Sequence, residues 1–233
     1  MVPLSANIVP IITLNVIPKG LGLAKAAHRR QSWLNKPAIG GMSFEGGVAK
    51  MTRDHCEIHQ QFKAVDAAYC TGDLEALRAA LGNPPDFPNC IQPSELALGE
   101  YPLEYAIYWS PLCLIDELIA IGANPNYPDH GFPSLIAALS SGRSDQHELM
   151  RLLIKSGANV NQRGLNDWTA LHYAVVLRDL EGVRILLAHG ANPTLRTRID
   201  DCTSPLEDAE TMGFTSAVEM LRQAHSTASG VDR

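Results

Sequence analysis

Two histidines near the start of a predicted helix have a spacing that could hold a metal ion. His55 and His59 are four residues apart, with Cys56 and Glu57 between them. Both imidazoles would lie on one helical face, and zinc accepts imidazole nitrogens as ligands. The pattern lacks the His-Glu-x-x-His order and a clear third ligand. We therefore expect a capped helix start here and no metal site.

Covalent chemistry has weaker support in the sequence. Cys70 lies beside a Thr-Gly turn, but no local sequence supplies a general base, so we interpret it as a packing residue. The chain contains no Gly-x-x-x-x-Gly-Lys, Gly-x-Ser-x-Gly or Gly-x-Gly-x-x-Gly motif. We expect no catalytic residues and no cofactor. An enzyme with a hidden site in loop 82–99 remains an alternative, and it predicts a metal or cofactor in the purified protein.

Composition narrows the class of protein. The 233 residues are 45% hydrophobic and 19% charged, as in a folded soluble domain, and the net charge is −6. A general nucleic-acid partner would need a basic face, so we expect none. Five cysteines without a Cys-x-x-Cys pair favour a reducing, cytoplasmic compartment. No apolar run reaches the roughly 18 residues of a membrane span.

The first fifty residues differ in charge from the rest. Residues 1–44 contain five basic and no acidic residues, a charge of +5. The other 14 of the 19 basic residues, against all 25 acidic ones, leave −11 for the remainder. We treat 1–50 as an N-terminal extension. It could be disordered, it could be an organelle-targeting segment, or translation could begin at Met42 or Met51.

A short triplet recurs along the second half of the chain. Gly-Ala-Asn begins at residues 122, 157 and 190, so its copies are separated by 35 and then 33 residues. Between the last two copies lies Thr169-Ala-Leu-His-Tyr-Ala174. Self-similarity at such a period indicates a stacked repeat array.

The strongest repeat resembles an ankyrin repeat. Its Thr-Ala-Leu-His-Tyr-Ala sequence differs from Thr-Pro-Leu-His-x-Ala only at Ala170, and the period agrees. Looser copies begin at Tyr101, Pro133 and Ser204, and the resemblance covers 56–225. It implies an all-α repeat solenoid of about five stacked helix-turn-helix repeats joined by hairpin loops. The repeat domain would occupy 51–225, followed by a frayed tail at 226–233, and such arrays are usually monomeric.

The resemblance also assigns structural roles. One alanine and one leucine per repeat would form the shared core: Ala106, Ala138, Ala174 and Ala209, with Leu103, Leu135, Leu171 and Leu206. Thr169 and His172 would hydrogen-bond locally and tie hairpin to helix. Two departures stand out. The turn at 140–146 is two residues longer than usual, and Arg178 replaces a turn glycine, whose conformation it must adopt at some cost.

The implied function is non-enzymatic protein binding, as an interaction module or scaffold. Ankyrin arrays bind partner proteins through hairpin tips and inner helices on a concave face. The candidate partner-binding residues are Tyr108, Trp109, Phe132, Trp168, Leu177, His130 and Asn166. We expect the four aromatic ones to be exposed anchors, so that Trp168→Ala weakens binding more than stability. The alternative is that some of them are buried under loop 82–99. For the function, the alternative is a regulator, effector or adaptor whose N-terminal extension targets it and whose repeats recognise a client protein. If that extension is a transit segment, the protein would be located in an organelle.

Overall fold

Ten helices, arranged as five consecutive pairs, form the regular structure of the part of the chain described by the computed structural model. That part comprises residues 30–31, 51–93, 96, 101–127, 133–164, 167–198 and 202–229. The helices are α1 (Met51–Thr71), α2 (Leu74–Ala80), α3 (Pro102–Trp109), α4 (Leu112–Ala120), α5 (Ser134–Ser140), α6 (Gln146–Lys155), α7 (Ala170–Val176), α8 (Leu180–Ala188), α9 (Pro205–Thr211) and α10 (Thr215–Ser229).

The pairs stack in chain order. Within each pair the two helices pack against each other, and the odd-numbered helices α1, α3, α5, α7 and α9 form one continuous row. In the second row α2 packs on α4, α6 on α8, and α8 on α10. Each unit therefore contacts mainly its neighbours. This confirms the predicted all-α repeat solenoid.

The predicted core positions are buried. Leu103, Leu135 and Leu171 are 1%, 3% and 1% exposed, and the four equivalent alanines are completely buried. The alanines allow the helices of the odd row to approach closely, and the leucines fill the space between the rows. Leu206 is only half-buried, because it lies in the last described pair and no further pair packs beyond it.

The two predicted departures from the regular repeat are confirmed. Five residues separate α5 from α6, whereas three separate α7 from α8. In the longer turn, the Arg143 guanidinium donates to the Ser110 carbonyl at 2.5 Å and to both Asp145 carboxylate oxygens at 2.7 Å. In the shorter turn, Arg178 has a φ of 57°, in the left-handed region that favours glycine.

His172 forms the predicted local hydrogen bond, and it also links its repeat to the next one. The Thr169 N–H donates to His172 Nδ1 at 3.2 Å, and His172 Nε2 lies 3.3 Å from the Thr203 carbonyl oxygen of the following repeat. Since Nδ1 accepts a hydrogen bond, the proton is on Nε2, which donates to that carbonyl. The ring is completely buried, and burial is the main reason that the pKa of His172 falls to about 4.

A ladder of asparagines links the loops between pairs. The Asn126 side chain donates to the Gly157 carbonyl at 2.8 Å and accepts from the Asn159 N–H at 2.7 Å. Asn161 makes the same two contacts with Gly190 and Asn192, at 3.1 and 2.7 Å. The ladder begins with Asn89, which bonds in this way to the first Gly-Ala-Asn triplet at 2.8 and 2.7 Å. We did not predict this ladder from the sequence.

The described part of loop 82–99 is an ordered insertion. Gln92 is buried and accepts a hydrogen bond from the Tyr69 hydroxyl at 2.8 Å. Cys90 and Leu96 are also buried, at 4% and 1% exposure. The insertion therefore packs against α1 and carries the first residue of the asparagine ladder.

The N-terminal end of the chain lies largely outside the described residues, whereas the C-terminal end is described to Ser229. Of the predicted extension 1–50, only Arg30 and Gln31 are described. At the other end, α10 continues to Ser229, beyond the predicted end of the array at 225. Within the described ranges, no helix is both long enough and apolar enough to be a candidate membrane span.

Candidate partner-binding face

We call the equivalent positions at the C-terminal ends of the odd-numbered helices, which pack in one row, the odd-helix face. It comprises Tyr108 and Trp109 at the end of α3, Ser140 at the end of α5, Val176 and Leu177 at the end of α7, and Thr211 and Met212 at the end of α9. All are half-buried except Thr211, which is exposed. The Tyr108 hydroxyl lies 3.4 Å from Ser140 Oγ, which shows that the positions of neighbouring repeats are side by side.

The face carries large side chains that are partly covered. Tyr108, Trp109, Leu177 and Met212 all pack against the buried core while keeping part of their surface accessible. Burial raises the pKa of Tyr108 to about 12, so its hydroxyl stays protonated and able to donate a hydrogen bond near neutral pH. Half-buried aromatic and aliphatic groups of this kind provide apolar contact area with little loss of side-chain freedom.

The α1–α3 end of the face contains a charged cluster. The Tyr105 hydroxyl donates to the Asp66 carboxylate at 2.6 Å. Arg30 donates to both oxygens of that carboxylate, at 2.6 and 3.0 Å, and its guanidinium carbon lies 4.8 Å from the centre of the Trp109 ring. Asp66 is 5% exposed. The hydrogen bond and charge of Asp66 raise the pKa of Arg30, whereas for Tyr105 burial is the larger cause of a raised pKa.

The expectation that Trp168 is an exposed anchor is wrong. Its side chain is 5% exposed, and its ring centre lies 5.6 Å from that of His172 and 5.5 Å from that of Tyr173. Trp168 immediately precedes the cap residue Thr169, so its ring folds back over the first turn of α7. The main contribution of the side chain is therefore to packing.

Three other candidate residues cannot be assigned a position. His130, Phe132 and Asn166 lie outside the described residues. Charged side chains near the hairpins form two ion pairs. Arg198 forms an ion pair with Asp167 of the preceding hairpin, and Arg196 lies 2.9 Å from the Glu207 carboxylate.

The residues considered for chemistry lie in α1. His59 is 5% exposed, and the side chain of His55 is outside the described residues. No group of three or more His, Cys, Asp or Glu side chains suited to a metal occurs within the described ranges. The Cys70 sulfur accepts a hydrogen bond from Arg30 at 3.1 Å. Burial raises the pKa of its thiol, which opposes formation of the nucleophilic thiolate.

Comparison with known families gives a match that covers the last four of the five helix pairs. A model described as ankyrin repeats (3 copies) matches residues 103–197 and 145–227, which together cover more than half of the chain. A "Putative ankyrin repeat protein" of Acanthamoeba polyphaga mimivirus is 31% identical over 108 residues, which are 44% of this chain and 67% of that protein.

Other relatives match this chain over a smaller share of their own length. A "Putative E3 ubiquitin-protein ligase" of Arabidopsis thaliana is 37% identical over 94 residues, 39% of this chain and 19% of the ligase. The human BCL-6 corepressor-like protein 1 is 35% identical over 88 residues, 37% of this chain and 5% of the corepressor-like protein. The chain thus spans a small part of these two proteins.

Proposed function

The chain belongs to the ankyrin repeat family, and from this we propose that it is a non-enzymatic module that binds a partner protein on its odd-helix face. Ankyrin repeats are generally protein–protein interaction modules. The observation that supports the proposal is that equivalent positions of successive repeats carry half-buried side chains, two of which, Tyr108 and Ser140, are in contact. A face built on stacked helices is preorganised, so little ordering entropy is lost on binding.

The proposed contact residues are the candidates named from the sequence, but Trp168 now has a smaller role. Tyr108, Trp109 and Leu177 supply accessible apolar surface, whereas Trp168 is 5% exposed and mainly supports α7. His130, Phe132 and Asn166 remain proposed contacts at the hairpins. We place the protein in the cytoplasm as a monomeric scaffold, and the sign of its charge argues against a nucleic-acid partner.

A regulator or adaptor is the second candidate function. The observation that favours it is the charge difference between the basic segment 1–44 and the acidic remainder, +5 against −11. In that case the extension directs the protein to its location and the repeats recognise a client protein. Removing residues 1–50 would change the location of such a protein in cells. Capture of the client by the repeats would be retained.

Partner capture with matched variants tests the proposed face. Full-length protein is used as bait beside Tyr108→Ala/Leu177→Ala and beside a control, Glu117→Ala/Arg184→Ala, whose side chains are exposed on even-numbered helices. We expect a protein captured by the wild type and the control to be lost from the first variant. Circular dichroism and thermal melting of each bait establish that the variants are folded. Loss with the control alone would place the interface on the opposite face and contradict the proposal.

A further inference from the structure

Asp66 is a carboxylate whose burial requires a cation. The residue is 5% exposed, and burying an ionised carboxylate is costly unless it is paired and hydrogen-bonded. Tyr105 donates one hydrogen bond to it, at 2.6 Å. The positive charge comes from Arg30, a residue of the N-terminal extension rather than of the repeats. The repeats therefore supply an anionic site, and a segment outside them fills it.

The geometry of the site suits arginine better than lysine. Arg30 donates from Nε to one carboxylate oxygen and from Nη2 to the other, at 2.6 and 3.0 Å. Its guanidinium also lies over the Trp109 ring at 4.8 Å from the centre. A planar fork can make two parallel hydrogen bonds and stack on an indole at once, whereas the ammonium group of lysine is a point charge.

We propose that Asp66, Tyr105 and Trp109 form an arginine-binding pocket for an arginine-bearing segment of a partner protein, and that Arg30 occupies this pocket as an internal competitor. The inference rests on the proposed function and specifies the chemistry of the partner. Trp109 belongs to the odd-helix face, so a partner seated on that face reaches the pocket directly. The net charge of −11 beyond residue 44 complements a basic segment.

Competition by Arg30 should weaken the binding of a free peptide by an amount that can be calculated. A tethered ligand commonly reaches an effective concentration on the order of 1 mM. A peptide that binds the open pocket with a Kd of about 0.1 mM would therefore bind about tenfold more weakly when Arg30 is present in cis. Removing Arg30 should strengthen binding of an arginine-bearing peptide, although the substitution deletes contacts within the protein.

The test uses a fluorescent peptide with the sequence of residues 24–36, which includes Arg30, and the full-length chain. Fluorescence anisotropy gives its Kd for the wild type, for Arg30→Ala, and for Arg30→Ala combined with Asp66→Asn. A matched control combines Arg30→Ala with Asp116→Asn, since Asp116 is an exposed aspartate on α4. A second peptide carries Arg29→Lys and Arg30→Lys, which keeps the charge but removes both guanidinium groups of the peptide and cannot affect folding of the protein.

We expect Arg30→Ala to bind the peptide about tenfold more tightly than the wild type. The Asp66→Asn change and the lysine peptide should each weaken binding to the open pocket by about ten- to a hundredfold, whereas Asp116→Asn should have little effect. Equal binding to wild type and Arg30→Ala would overturn the internal competition. No binding to Arg30→Ala, or equal affinities for the arginine and lysine peptides, would overturn the pocket.

The two proposals fail separately. If the lysine peptide binds as well as the arginine peptide while Tyr108→Ala/Leu177→Ala still loses a captured partner, the odd-helix face stands and its arginine specificity falls. If the peptide results hold while that variant retains its partner, Arg30 competes at a pocket outside the partner interface, and the partner assignment is overturned.

Discussion

We expect acid to destabilise the repeat array through His172. The neutral ring accepts the Thr169 N–H at Nδ1 and donates from Nε2 to the Thr203 carbonyl. Protonation would place a second N–H on Nδ1, directed at the Thr169 donor, and would put a positive charge on a completely buried side chain. The folded chain therefore resists protonation, whereas the unfolded chain does not.

The magnitude follows from the change in pKa. Burial lowers the pKa of His172 from 6.5 to about 4. A lowered pKa means that its contribution to stability is fully present above about pH 6.5 and is lost as the pH falls towards about 4. Between a pH of about 8 and about 5, the free energy of unfolding should fall by about 2 kcal/mol from this residue alone. That is a large share of a typical total of about 5–15 kcal/mol.

Urea denaturation at a series of pH values measures this loss. The control is His172→Gln, because glutamine at the third helical position can form a capping box with Thr169 and does not titrate. We expect the urea midpoint of the wild type to fall by about 1 M more than that of the control between about pH 8 and about pH 5. Other titrating groups affect both proteins and cancel in the difference. Parallel curves would refute the assignment of a buried, neutral His172.

Three further substitutions test the packing. Leu171→Ala removes a side chain that is 1% exposed and should lower the free energy of unfolding by about 2–5 kcal/mol; a loss of about 0.5 kcal/mol, typical of surface sites, would contradict its core position. Trp168→Ala should cost about 3–5 kcal/mol, because the ring is buried, and a melting temperature close to that of the wild type would show it to be exposed. Asn126→Ala removes the hydrogen bonds to Gly157 and Asn159. It should lower the free energy of unfolding, measured by urea denaturation, by about 1–3 kcal/mol. Amide hydrogen exchange should then increase in those loops, and unchanged exchange would argue against the ladder.

The repeat period determined most of the architecture. In a stacked array each unit contacts its neighbours, so one leucine and one alanine per repeat already identify the shared core. The same locality explains why His172 and Arg178 were interpreted correctly. The hydrogen bonds of His172 join its own helix and the next hairpin, and the φ of Arg178 follows from its place in a turn of fixed geometry. The sequence period identifies these positions because residues that are equivalent in the sequence are also equivalent in the stacked structure.

Tertiary structure alone decided the features that do not repeat. The period places Trp168 before its helix, but the direction of its ring depends on the rings of His172 and Tyr173. Asn89 joins the asparagine ladder because the inserted loop places it beside the first Gly-Ala-Asn triplet. Its distance of 37 residues from Asn126 differs from the 35 residues between Asn126 and Asn161. The pairing of Arg30 with Asp66 joins a non-repeating segment to the first repeat, and only folding brings these two charges together.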